Sequence, residues 1–178
     1  MARSADPSLV VFAWGNLSRA DDGAGPELAE RLRTLRLDEL LIIEDMQLQI
    51  EHTADIVPDV PILFIDASVA ITEGFALQRL KPRPDASVTT HALCPTALLQ
   101  LYETTARRPS PPAYQLHIAG QSFELGEEPG EVNASATEAA WAYLEDLLAR
   151  PPGSWGRVLE CDSVERLEQA RAVSATAV

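Results

Sequence analysis

Apolar residues along the chain follow two rhythms. Short continuous runs, too brief for helices, alternate with stretches where leucines and alanines return every three or four positions. Leu9 to Trp14 is the first run and predicts a strand. A helix is predicted from about Gly25 to Leu37, with Pro26 in its first turn and Leu28, Leu32 and Leu35 at helical spacing. Glu39 to Glu44 predicts a second strand, and Ile50 to Ile56 a short helix ending before Pro58. Pro61 to Ile65 is apolar without a break, which suits a strand covered on both faces, and it stops at Asp66. After a turn at Thr72-Glu73-Gly74, Phe75 to Leu80 predicts another strand. The proline-rich stretch Lys81 to Asp85 reads as a loop, and Pro95 to Tyr102 as a helix. Ala113 to Ala119 predicts a last strand and Glu131 to Arg150 a long helix. Strands alternating with helices point to an α/β domain built on a mostly parallel sheet.

Composition narrows the class. The chain has 178 residues, 46% of them apolar, which suits one domain over 1–150 with a substantial core. Beyond Pro151-Pro152-Gly153 lies an extension, 151–178, with too few apolar residues for its own core. It is expected to be a docked appendage or partly disordered, with helical character around Val164 to Ala172. The net charge is −13 and no basic stripe is visible, which excludes a nucleic-acid binder. No run is long enough to span a membrane, and the N-terminal residues do not resemble an export signal. Two cysteines, Cys94 and Cys161, without a CxxC pair favour a reduced, cytoplasmic protein with neither disulfide framework nor structural zinc.

Three positions carry candidate chemistry. The first is the Gly15–Gly25 connection after the first strand, holding Asp21 and Asp22 among glycines. In doubly wound folds such connections open at the carboxyl edge of the sheet, where ligands bind. The spacing is not that of a dinucleotide-binding loop. Adjacent aspartates before a helix also have a simple structural role as caps. The second is Asp66, a carboxylate closing a buried strand, which is also explained by a turn or cap. The third is His91, in the loop before the Pro95 helix. Together Asp22, Asp66 and His91 form a set suited to a borderline divalent metal. His52 and His117 fall within regular elements and read as structural, and Cys94 reads as packing, with a nucleophilic role as the rival. There is no Gly-x-Ser-x-Gly elbow and no HExxH. From residue chemistry alone the chain is a metal-binding or hydrolytic α/β domain.

Gly15-Asn16 followed by Asp21-Asp22-Gly23-Ala24-Gly25 resembles the signature of the [NiFe]-hydrogenase maturation endopeptidases. That signature is Gly-Asn, four variable positions, Asp, an acidic residue, two positions and Gly. The resemblance continues in order at Phe64-Ile65-Asp66-Ala67, at Thr90-His91, and at Phe123-Glu124-Leu125-Gly126 with the helix after it. It covers about Leu9 to Arg150. It implies a twisted five-stranded sheet between helices, and Asp22, Asp66 and His91 as the metal-contacting and catalytic positions. It further implies removal of a C-terminal peptide from a hydrogenase large-subunit precursor after nickel insertion. The nickel would come with that precursor, and no stable intrinsic metal is expected. The expected partner is thus the precursor, met by a monomer.

Two features depart from the common pattern. Asp22 stands where many members have glutamate, and the chain reads Ala13-Trp14-Gly15-Asn16 where Gly-x-Gly-Asn is frequent. With Gln47-Leu48-Gln49 and Glu51-His52, the second resembles the subgroup serving cytoplasmic NAD-reducing hydrogenases. The alternative from another class is a non-enzymatic metallochaperone or binding module for the large subunit.

Overall fold

The computed structural model describes residues 6–84 and 93–163. The apolar runs form strands β1 (Leu9–Trp14), β2 (Leu40–Asp45), β3 (Ile62–Ser68), β4 (Phe75–Leu80) and β5 (Ala113–Ala119). The periodic stretches form helices α1 (Ala24–Thr34), α2 (Pro95–Ala106) and α3 (Glu131–Leu148), with a 3₁₀ turn at Ile50–Asp55. The strands make one sheet in the order β2-β1-β3-β5-β4. All neighbours are parallel except β4, which runs antiparallel to β5. The fold is therefore a single α/β domain around a mixed, mostly parallel sheet, as the alternation of runs predicts.

β3 departs from its predicted limits. It does not stop at Asp66 but pairs with β5 through Asp66↔His117, Ala67↔Ile118 and Ser68↔Ala119. Two further rungs outweigh the poor strand preference of aspartate. On the other side, the β1–β3 ladder ends at Ala13↔Ile65. Asp66 thus lies where β1 turns away from β3, the switch point at which an open parallel sheet leaves a crevice.

Alternation sorts the strand residues into two cores. Val11, Leu63, Ile65, Leu116 and Ile118 pack under α1 and α3. Val10, Phe12, Ile62 and Phe64 pack under α2 and the 3₁₀ turn. Small residues on α3, notably Ala136 and Ala140, bring that helix close to the sheet. α1 ends near its predicted limit, as Arg36 turns into the left-handed region (φ 51°).

The start of the extension packs onto the first of these cores. Residues 155–163 are helical, and Trp155 and Leu159 are buried with Leu144 and Leu147 of α3. The Trp155 indole donates to the Arg150 carbonyl at 2.9 Å. Glu160 takes hydrogen bonds from Tyr114 Oη, at 2.7 Å, and from Arg79. The helix predicted around Val164 to Ala172 lies outside the described residues. Trp155→Ala is expected to destabilise the domain by about 3–5 kcal/mol, the usual loss for a buried tryptophan. Urea unfolding measures this, and a loss under 1 kcal/mol would show that the docking adds little.

Candidate functional site

The β1–α1 connection is shaped by close backbone approaches. Gly15 has φ +143°, and a Cβ there would stand 1.9 Å from the Asp22 carbonyl oxygen. A Cβ on Gly25 would stand 2.5 Å from the Trp14 carbonyl oxygen. Only glycine allows the chain to fold back this tightly over the end of β1. The neighbouring aspartates then part company. Neither caps α1, since its N-cap, Gly23, has no side-chain hydrogen bond.

Asp21 is turned inward and is only 1% exposed. Its Oδ2 accepts the N–H groups of Gln121 (2.6 Å) and Ser122 (3.0 Å), and its Oδ1 accepts that of Gly130 (2.8 Å) at the start of α3. Burial would raise this carboxyl, but the three amides outweigh it and hold it below the usual carboxylate range. Asp21 is therefore not the helix cap its position suggests but a clamp between the β1–α1 and β5–α3 connections.

Asp22 points the other way. Its Oδ2 accepts the Asn16 N–H at 2.9 Å, and it lines a groove with Asn16, Arg19, Asp45, Met46, Gln47 and Gln49. Asp45 forms the far wall. It takes bonds from the Met46 N–H (2.6 Å) and the Gln49 amide (3.0 Å), with His52 Nε2 at 3.4 Å. His52 Nδ1 accepts the Gln49 N–H at 2.9 Å, which leaves Nε2 as the protonated nitrogen of the neutral ring.

Asp66 lies on the α2 face of the sheet, in line with Ile62 and Phe64. Burial, and next the charge of Asp22, raise its carboxyl to about 7. The Ala67 N–H and the Trp14 side chain hydrogen-bond to it and only partly counter that rise. Asp22 and Asp66 therefore feel each other across the crevice. His91 lies outside the described residues. Among the described residues, no three of His, Cys, Asp and Glu gather closely enough to hold a metal ion.

Two further side chains border this pair: Trp14, which the sequence reading left without a role, and His117, which it read as structural. Trp14 hydrogen-bonds to Asp66 and stands edge-on to Phe64 at 6.0 Å. It occupies the variable position of the Gly-x-Gly-Asn pattern, next to Ala13, which stands where that pattern has its first glycine. His117 is level with Asp66 on the next strand, and its Nε2 donates to Gln78 Oε1 at 3.3 Å. Burial lowers its basicity. Cys94, expected half-buried, is exposed at the N-cap of α2, with Sγ 3.2 Å from Thr96 Oγ1.

These environments set opposite pH dependences. Between the ordinary value of 3.8 and about 7, the folded chain keeps a proton on Asp66 that the unfolded chain releases. Stability from this group therefore falls as pH rises through that window and levels off above it. Asp66→Asn should flatten the slope and stabilise the protein at pH 8 by roughly 2 kcal/mol. Parallel pH–stability curves for the two proteins would refute this. Asp21 has the reverse sign: its contribution is full above the ordinary carboxylate value and fades as pH falls through its lower folded value. Asp21→Ala strands three amides and should cost at least ~3 kcal/mol in urea unfolding.

No family model and no curated protein sequence matches this chain. Solved structures do. The chain is similar to the [NiFe] hydrogenase maturation protease HycI from Thermococcus kodakarensis KOD1, with a TM-score of 0.63 and 24% identity over 83% of this chain and 96% of that one. The endopeptidase HycI from Escherichia coli superposes with a TM-score of 0.59 and 20% identity, covering 82% of this chain and 94% of the other. The hydrogenase maturating endopeptidase HybD from E. coli gives 0.59 and 16%, over 79% and 91%. At these identities the likeness is one of fold: the chain has the architecture in which those maturation endopeptidases are built.

Proposed function

We propose that the chain is an endopeptidase that removes the C-terminal peptide of a [NiFe]-hydrogenase large-subunit precursor after nickel insertion. The observation that carries this reading is the paired carboxylates, Asp22 and Asp66, coupled across the switch-point crevice. They occur in a fold shared with solved hydrogenase maturation proteases. By the family resemblance, His91 is the third contact to nickel brought by the precursor.

Carboxylate and imidazole donors suit a borderline divalent ion. A metal arriving with the substrate would turn recognition into a checkpoint, because a nickel-free precursor forgoes those contacts. Asp66 adds a group that takes up and releases a proton near neutrality, which suits general acid–base work at a peptide bond. Trp14 and the Ala67 N–H hold its carboxylate in place.

The finer assignment is to the subgroup acting on NAD-reducing hydrogenase. Its support is Gln47, Gln49 and His52 after β2 and Trp14 in β1. A monomer working in the cytoplasm fits this reading. No helix among the described residues is long and apolar enough to cross a membrane.

Purified protein incubated with nickel-loaded precursor should shorten it by one C-terminal peptide, seen by mass, and leave nickel-free precursor intact. Equal cleavage of both would defeat the checkpoint. An uncut, stably bound nickel precursor would favour the escort alternative. Asp22→Asn, Asp66→Asn and His91→Ala should each abolish cleavage while the fold persists. In the wild type, cleavage should rise with pH through about 7 as Asp66 ionises. Normal cleavage by all three variants together with a dead Cys94→Ala would move the chemistry to a thiol.

A further inference from the structure

Seven large apolar side chains stand exposed among the described residues, and five of them follow the carboxyl ends of parallel strands. Leu17 follows β1, Met46 and Ile50 follow β2, Val69 follows β3 and Leu125 follows β5. Backbone contacts join these into an arc. Gly126 N–H donates to the Ser18 carbonyl at 2.7 Å, which sets the Leu125 loop beside Leu17. Gly120 N–H donates to the Ser68 carbonyl at 3.2 Å, which sets the β5 exit beside Val69. Met46 faces Arg19 and Asp22 across the groove. The arc therefore runs along four strand ends, past Asp22 and Asp66.

Charge is segregated in the same way. Of the lysines and arginines among the described residues, Arg19 alone lies in the connections 15–23, 46–55, 69–74 and 120–130. Those connections and the start of α3 hold exposed Glu51, Glu73, Glu124, Glu127, Glu128 and Glu131. Exposed apolar residues rimmed by polar and charged ones mark a protein-docking surface, and a rim of one sign selects a partner of the other.

We infer that this arc is a docking surface for a folded protein whose facing surface is basic and carries apolar side chains of its own. The acids steer the partner and the apolar residues hold it. The inference rests on the proposed reading of function, with the precursor as that partner, and assigns its recognition to residues that touch neither nickel nor the scissile bond.

The test measures cleavage of nickel-loaded precursor across substrate concentrations. Leu17→Asp/Leu125→Asp should raise KM about tenfold or more with kcat kept. Glu124→Lys/Glu128→Lys should raise KM and weaken its dependence on salt. Leu35→Asp and Leu41→Asp, at exposed apolar positions off the arc, should leave KM unchanged. Circular dichroism confirms that each variant is folded. Normal KM in both arc variants, or an equal rise in the off-arc controls, would overturn the docking surface while leaving the endopeptidase intact. A wild-type chain that neither binds nor cleaves the precursor would overturn both.

Discussion

The carboxylate of Asp21 is sealed from solvent, yet it stays ionised because three backbone amides about a hundred residues further along the chain converge on it. Those amides belong to the segment between β5 and α3, so one side chain ties the first strand's exit to the last strand's exit. The tie is reinforced by Asn133, whose amide donates to the Ala119 carbonyl at 2.8 Å. With the inner aspartate fixed, the backbone at Asp22 has little freedom, and its carboxylate faces the groove. Gly15 and Gly25 allow the loop to fit, and Asp21 holds it there. The geometry of Asp22 is thus set by a residue that takes no part in the groove.

Asp66 illustrates the opposite bargain between stability and chemistry. A carboxylate set within a strand, partly buried and facing a second carboxylate, opposes folding at neutral pH once it ionises. The surroundings supply an N–H and the Trp14 side chain, which are too few to restore an ordinary affinity for the proton. Two aspartates of one domain therefore sit on opposite sides of the usual range. The one with three amides is held ionised, and the one with a repelling neighbour keeps its proton up to about 7. That contrast is what motivates the role proposed for Asp66 and the supporting place given to Asp21.

Much of this was legible in the chain. Short apolar runs and, in Ala113 to Ala119, apolar–polar alternation mark the strands, and the predicted β1, β2, β4 and β5 fall within a residue of their observed limits. Local periodicity also places α1 and α3, because a helix must present one face to the sheet whatever that sheet's order. Asp22, Asp66 and His91 were marked by motif and resemblance. For Asp22 and Asp66 the structure adds their mutual influence.

What the sequence determined by itself is what local physics determines: strand and helix positions, the α/β class, the acidic balance, and carboxylates at strand ends. Tertiary structure decided the rest, because pairing across distant segments is invisible to periodicity. The β5 ladder carried β3 past Asp66, the amides of Gln121, Ser122 and Gly130 separated Asp21 from Asp22, and the sheet order brought Trp14 to Asp66. The apolar content of the extension predicted no core of its own, but Trp155 and Leu159 needed only an existing core to enter. In each case, residues far apart in the chain share one desolvated space, and only the fold brings them there.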